Sequence, residues 1–239
     1  MGLRDRLSRA LRDRRVTSAV RRALDDYLPP VVREWRPLNR WMVRRFHGPA
    51  FDLDFKERAF AMSPREIARA YAALDHGGAR YRDSDTTPAQ IDAIAAAARG
   101  RVLEVGSGNG AIAERLRAQH DVVAVDVTLG SARATRERAG AVVAVAGLPA
   151  LPFADRAFDT VVCAHTLEHI PDLWRAAAEL RRVARRAIVV VPRQRYYRYT
   201  VDYHLHFFPS AAPLEHLLGG HARVVDGDWL VIADEPNSL

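Results

Sequence analysis

Acid, glycine and histidine stand in this chain at spacings that chemistry can use. Glu104 lies two residues before a glycine-rich turn, Gly106-Ser107-Gly108-Asn109-Gly110. Glycines let the backbone approach a ligand closely, and free amides after such a turn favour anionic groups. Asp126 follows Gly106 by twenty residues, where a carboxylate would receive the two hydroxyls of a ribose. Gly106, Gly108 and Ala111 also fit the dinucleotide fingerprint, so these residues alone imply an adenosine-containing cofactor of either kind. Further on, His165, Glu168 and His169 stand at i, i+3 and i+4, a spacing that one helical turn brings together. Such a cluster moves protons or, with His204 or His206, ligates a divalent ion. Arg193, Tyr196, Tyr199 and His204 share one short stretch, offering charge-assisted bonds to phosphate or carboxylate and flat faces for a sugar or aromatic ring. Cys163, the only cysteine, sits in an apolar run and reads as core.

These residues need elements to hold them. After Gly100, short apolar runs at 102–105, 122–125, 142–145, 160–164 and 187–191 alternate with helical patterns. Runs of this kind are buried parallel strands joined by crossover helices. The expectation is an α/β fold, a Rossmann-like doubly wound sheet of mostly parallel strands, closed by an antiparallel hairpin from 223–226 and 229–233. Before it, apolar positions from Leu3 to Leu24 recur at helical spacing among arginines, and Pro29 and Pro30 stop the pattern. Ser63-Pro64-Arg65-Glu66 and Thr87-Pro88 mark two further helix starts. The boundary is expected near residue 90: a basic helical extension or cap over 1–90 and a cofactor-binding domain over 91–239.

Charge is uneven along the chain. Residues 1–50 carry 13 Arg against 5 Asp or Glu, a net of +8, while the whole chain is +7. A basic segment can meet phosphate on a membrane or nucleic acid, or can simply be solvated. Trp35, Leu38, Trp41, Met42, Val43 and Phe46 stand among five arginines, which suits a membrane interface or a helix docked on the catalytic domain; docking is favoured. A single cysteine excludes an intrachain disulfide and a thiolate zinc cluster. With no apolar run of spanning length and no signal-peptide core, the expected location is the cytoplasm, the inner membrane surface being the second.

Leu151-Pro152-Phe153, then Phe158-Asp159, then Leu167-Glu168-His169, follow the glycine-rich turn in order. In this the chain resembles the class I S-adenosylmethionine-dependent methyltransferases, in particular the broad group with glycine-rich turn, LPF, FD and LEH motifs. An acid at Glu104 agrees, because it can meet the ammonium group of that cofactor and a dinucleotide has no such cation. The resemblance implies that Glu104, Gly106, Ser107 and Gly108 line the methionine end, Asp126 holds the ribose and Val127 packs on adenine. The chain departs from the pattern at Gly147, where relatives often carry an Asp for the adenine amino group, so backbone at Gly147 and Leu148 is expected to serve. His165 corresponds to a position facing the reaction centre and, with His169, is the candidate base for a hydroxyl acceptor. Ubiquinone-pathway and small-RNA methyltransferases of similar arrangement hold a divalent ion, with an acid where this chain has His165. Metal-free relatives also carry LEH, and on sequence alone no metal at Glu168, His169 and His165 is favoured.

The expected function is methyl transfer from S-adenosylmethionine to a small-molecule or glycan acceptor, at a hydroxyl. The extension loosely resembles those of natural-product and cell-surface polysaccharide methyltransferases. RNA methylation is one alternative, although no RNA-binding module supports it and nucleic acid is not expected as a partner. A non-catalytic protein that binds cofactor or membrane is the other. The sequence leaves the oligomeric state open.

Overall fold

Every expected apolar run forms a strand. In the computed structural model, which describes residues 29–46, 52, 54–76, 85–196 and 203–234, strands β1 (Val102–Val105), β2 (Val122–Asp126), β3 (Val142–Val145), β4 (Phe158–Ala164) and β5 (Ala184–Val191) run parallel. Strands β6 (His221–Val225) and β7 (Asp228–Asp234) form a hairpin whose second member pairs antiparallel with β5, giving the order β3-β2-β1-β4-β5-β7-β6. This is the doubly wound, Rossmann-like sheet with an antiparallel edge. The helices expected within residues 3–28, and Tyr199, lie outside the described residues.

Strand β5 begins three residues earlier than its apolar run, because Arg186 is buried within it. Its guanidinium is satisfied there: it donates to both oxygens of Asp234, at 2.7 and 2.9 Å, and to the Ala97 carbonyl at 2.8 Å. A buried charge is tolerated when paired and hydrogen-bonded.

Before the sheet come α1 (Pro30–Arg33), α2 (Arg36–Phe46), α3 (Phe55–Ala59), α4 (Pro64–His76) and α5 (Pro88–Ala97). Both expected starts are present. The Glu66 carboxylate accepts from the Ser63 amide at 2.8 Å, and Thr87 with Gln90 forms a complete capping box. Helix α5 straddles the boundary expected near residue 90, and Gln90 in its first turn is fully buried against the β6–β7 hairpin. Within the sheet region, α6 (Ala111–Leu116), α7 (Leu129–Ala139), α8 (Leu173–Val183) and α9 (Ala212–Leu218) supply the crossovers.

Two apolar layers sandwich the sheet. Leu103, Val105, Val161 and Val189 point to the side covered by Ala177, Leu180 and Leu214, and Val102, Val162 and Ile188 to the side covered by Ile94, Ile112 and Leu116. A third, smaller cluster joins Phe55 and Ala59 of α3 to Tyr203 and Leu205, with Tyr71 of α4 packed against it. The segment before the sheet thus touches the chain at the stretch that follows β5. Parts of α1, α2 and the residues between them do not dock in this way: Val31, Trp35 and Trp41 are 79%, 58% and 63% exposed.

Candidate functional site

Strand β1 delivers Glu104 and the glycine turn to the carboxyl edge of the sheet, where open α/β folds hold their ligands. Gly106 has φ +76°, and a Cβ there would fall 2.0 Å from the Thr166 hydroxyl oxygen, so only glycine fits. The Gly108 amide donates to Asp126 Oδ2 at 3.0 Å, and the Thr128 amide donates to Oδ1 at 2.9 Å. The end of β2 is thereby tied to the turn, and Asp126 is aimed by two backbone groups. Ser107 is buried, its hydroxyl accepting from Thr135 at 2.9 Å.

Glu104 is almost wholly buried, and its Oε2 has no hydrogen-bond partner. Burial, with a smaller contribution from the Asp126 charge, pushes the carboxyl up to about 8, partly countered by the Ala113 amide. A buried orphan oxygen of this kind fits a ligand that brings a cation or a donor.

Beside Asp126 the surface is apolar. Val127 and Leu129 are 36% and 53% exposed, and the Val127 side chain lies so close to Gly147 that a Cβ at 147 would meet Cγ1 at 2.4 Å. Leu148 is buried. The loop after it is clamped by Arg182 of α8, which donates to the carbonyls of Leu151 and Phe153 at 3.2 and 2.8 Å, while Glu179 accepts from the Leu151 amide at 2.7 Å. The LPF motif thus has a structural role, fixing one wall of this surface.

The second group of candidates lies past β4. His165 has φ +50°, an uncommon conformation for a residue with a Cβ, and its amide donates to the Val190 carbonyl at 2.8 Å. Its ring sits between two acids: Nδ1 is 3.6 Å from Glu168 Oε1, and Nε2 is 3.6 Å from Asp228 Oδ2 and 3.5 Å from Gln90 Oε1. Glu168 is fully buried in the short 3₁₀ turn Leu167–His169, and its carbonyl accepts from the amides of Leu205 and His206 at 2.9 and 3.0 Å. Those two bonds bring the 203–206 stretch to the turn. His169, Glu168 and His204 then place one ligand atom each within 4.8 Å of one another. His206 turns away, its Nε2 donating to the Ile170 carbonyl at 2.9 Å, and burial lowers its pKa.

The arginine–tyrosine stretch is only partly convergent. Arg193 is exposed and stacks over Trp229, at 5.3 Å from the ring centroid. Tyr196 is exposed under the Lys56 ammonium, at 3.8 Å, and meets Phe207 edge-on. His204 is buried, its Nδ1 2.7 Å from Gln194 Oε1. Three residues that sequence reasoning missed hold the histidines in place, Gln90, Asp228 and Gln194, together with Tyr203 of the arginine–tyrosine stretch. Gln90 was visible only as the capping-box partner of Thr87, and Asp228 only as a residue after the Asp226-Gly227 turn. Neither signal points across the 138 positions that separate them.

Comparison with known proteins agrees with this architecture. Residues 103–190 match the family described as a methyltransferase domain. A demethylmenaquinone methyltransferase from Thermobifida fusca is 33% identical over 141 residues, 56% of this chain and 60% of that protein. A malonyl-[acyl-carrier protein] O-methyltransferase from Geobacter sulfurreducens is 41% identical over 90 residues, covering 35% of this chain and 34% of the relative. The chain thus spans less than two thirds of these relatives. The solved 1,6-didemethyltoxoflavin-N1-methyltransferase from Burkholderia thailandensis, with 1,6-didemethyltoxoflavin and S-adenosylhomocysteine bound, aligns at TM-score 0.57 and 20% identity over 73% of this chain and 91% of that one. An S-adenosylmethionine-dependent methyltransferase from Thermotoga maritima aligns at 0.52 and 19% identity, covering 62% and 88% of the two chains.

Proposed function

We propose, from the methyltransferase-domain match over residues 103–190 and a fold shared with S-adenosylmethionine-dependent methyltransferases, that the protein is a class I enzyme of that kind and transfers a methyl group from that cofactor to a small-molecule acceptor. One observation carries the reading: a buried acid with an unmatched oxygen, Glu104, and an aimed carboxylate, Asp126, stand on either side of a turn that only glycine can form. A methionine ammonium would complete Glu104 and stabilise its ionised form. Asp126, each of whose oxygens can accept more than one donor, suits the ribose hydroxyls. Val127 offers adenine an apolar face, and Gly147 and Leu148 offer it backbone. Bound there, the cofactor supplies a methyl group already activated on a sulfonium. The protein's own contribution is alignment, which carries much of the acceleration in a one-step displacement.

The acceptor group is a hydroxyl in this reading, and its proton passes to His165. Asp228 and Glu168, on either side of the ring, stabilise the imidazolium that forms. His169 is the second base candidate: its Nδ1 donates to the Tyr203 carbonyl at 3.2 Å, which leaves Nε2 as its basic nitrogen. Arg193, Tyr196, Tyr199 and His204 are assigned to one wall of the acceptor pocket, which suits a phosphate- or sugar-bearing molecule of natural-product or cell-surface polysaccharide pathways. Residues 1–90 serve as its cap. The exposed Trp35 and Trp41 among arginines favour one further reading, peripheral contact of this basic segment with an anionic membrane.

Isothermal titration of the metal-stripped chain with S-adenosylhomocysteine and, separately, NAD tests the cofactor. Binding of the first only, lost in Asp126→Ala, is expected. Binding of NAD alone would replace the methyltransferase reading with a dinucleotide one.

A further inference from the structure

We infer that Glu168, His169 and His204 form a site for one borderline divalent cation, of which Zn²⁺ is the representative. The sequence placed Glu168 and His169 on one turn with His165. Of the two histidines that could complete such a cluster, His204 and His206, the structure brings His204 to it, from 35 positions along the chain, through the two amides that bond to the Glu168 carbonyl. The three ligand atoms lie within 4.8 Å of one another, a spacing that an ion at their centre would bridge, and Glu168 and His204 are buried.

The decisive feature is how the imidazoles are held. A carbonyl can only accept, so the 3.2 Å contact from the Tyr203 carbonyl fixes the His169 proton on Nδ1. Gln194 Oε1, 2.7 Å from His204 Nδ1, fixes that proton in the same way. Both rings therefore present the lone pair of Nε2, and the His204 Nε2 faces Glu168 Oε1 at 3.9 Å. Anchoring the far nitrogen to an oxygen acceptor is the arrangement by which proteins orient metal-ligating histidines. Tyr203 adopts φ +58° to place its carbonyl there, an uncommon conformation for a tyrosine and one consistent with a positional demand.

One carboxylate and two imidazoles suit zinc, manganese, cobalt or iron rather than calcium. Three protein ligands leave tetrahedral zinc one position for water or an acceptor oxygen. Thr166, which contacts the Gly106 turn, lies two residues before Glu168, so the ion would sit close to the candidate cofactor turn. The inference stands independently of methyl transfer, since it concerns ion binding by the chain alone.

The test is titration of the untagged, chelator-stripped full chain with ZnCl₂, followed by calorimetry, with Co²⁺ absorption as a spectroscopic probe. One ion per chain is expected, with a nitrogen–oxygen Co²⁺ spectrum lacking thiolate charge transfer. Glu168→Gln and His204→Ala should lose it, whereas His206→Ala, whose ring turns away, should keep it. Should the first two fail to fold, Gln194→Ala decides, because it leaves all three ligands in place. About ten- to hundredfold weaker binding is expected there. Absence of stoichiometric binding by the folded wild type, or equal affinity in wild type and Gln194→Ala, would overturn the site.

Discussion

A carboxyl group buried beside another acid, with one oxygen unmatched, resists ionisation, and at Glu104 this raises the pKa from 4.5 to about 8. Between those values the folded chain keeps a proton that the unfolded chain has released. Stability from this group is therefore full below about pH 4.5 and is lost progressively as the pH rises through about 8, at up to roughly 1.4 kcal/mol per unit. Glu104→Gln stays neutral throughout. Its ligand-free melting temperature should exceed that of wild type by more at pH 8 than at pH 5, as differential scanning calorimetry would read. The same variant should bind S-adenosylhomocysteine about ten- to hundredfold more weakly, the size of a lost charged hydrogen bond. A variant with the wild type's pH slope and affinity would remove Glu104 from the site. In the proposed reading, stability is given up here for a place at which the cofactor's ammonium can be received.

At the scale of elements, the turn after β1 and the loop after β3 meet across Asp126 and Val127, and each is held by one identifiable device. For the turn it is the absence of a side chain at Gly106. Gly106→Ala forces a left-handed alanine, costing about 1–2 kcal/mol, and also drives a methyl group into Thr166. Urea unfolding should show both losses, and adding Thr166→Ala should recover only the second. For the loop the device is Arg182, which spans the Leu151 and Phe153 carbonyls and Asp155. Arg182→Ala should weaken S-adenosylhomocysteine severalfold while β-sheet circular dichroism is unchanged; unaltered affinity would separate the LPF loop from the adenine wall. Much of this was legible in the sequence, because apolar runs bounded by glycine report buried strands, and glycine, acid and turn stay within a few residues of one another. Three things were not legible. Arg186 hid the start of β5, since its partners are Asp234 and the Ala97 carbonyl. The Gln90–Asp228–His165 contacts join three elements whose proximity only the sheet order creates. The third is how His204, named in the sequence beside His206 as a partner for Glu168 and His169, reaches them: backbone bonds from Leu205 and His206 to the Glu168 carbonyl deliver it.

For the molecule as a whole, charge and exposure point the same way. The net positive charge belongs to the first 50 residues, at 13 Arg against 5 acids, leaving the remaining chain close to neutral. Within that segment Trp35 and Trp41 stay exposed, while α3 carries the contact with Tyr203 and Leu205. Exposed indole beside guanidinium is the composition of a membrane interface, where the ring sits at headgroup depth and the charge meets phosphate. No described helix is long and apolar enough to cross a membrane. Vesicles containing phosphatidylglycerol should bind the full chain, with a blue shift of tryptophan emission, and neutral phosphatidylcholine vesicles should not. Raising salt from about 0.05 to 0.5 M should release it, because screening shortens the reach of the arginines. The double variant Trp35→Ala, Trp41→Ala should bind more weakly at low salt and lose most of the blue shift. Binding that survives high salt, or a blue shift unchanged in the double variant, would place the contact elsewhere, and the basic segment would then be a solvated flank of the sheet region.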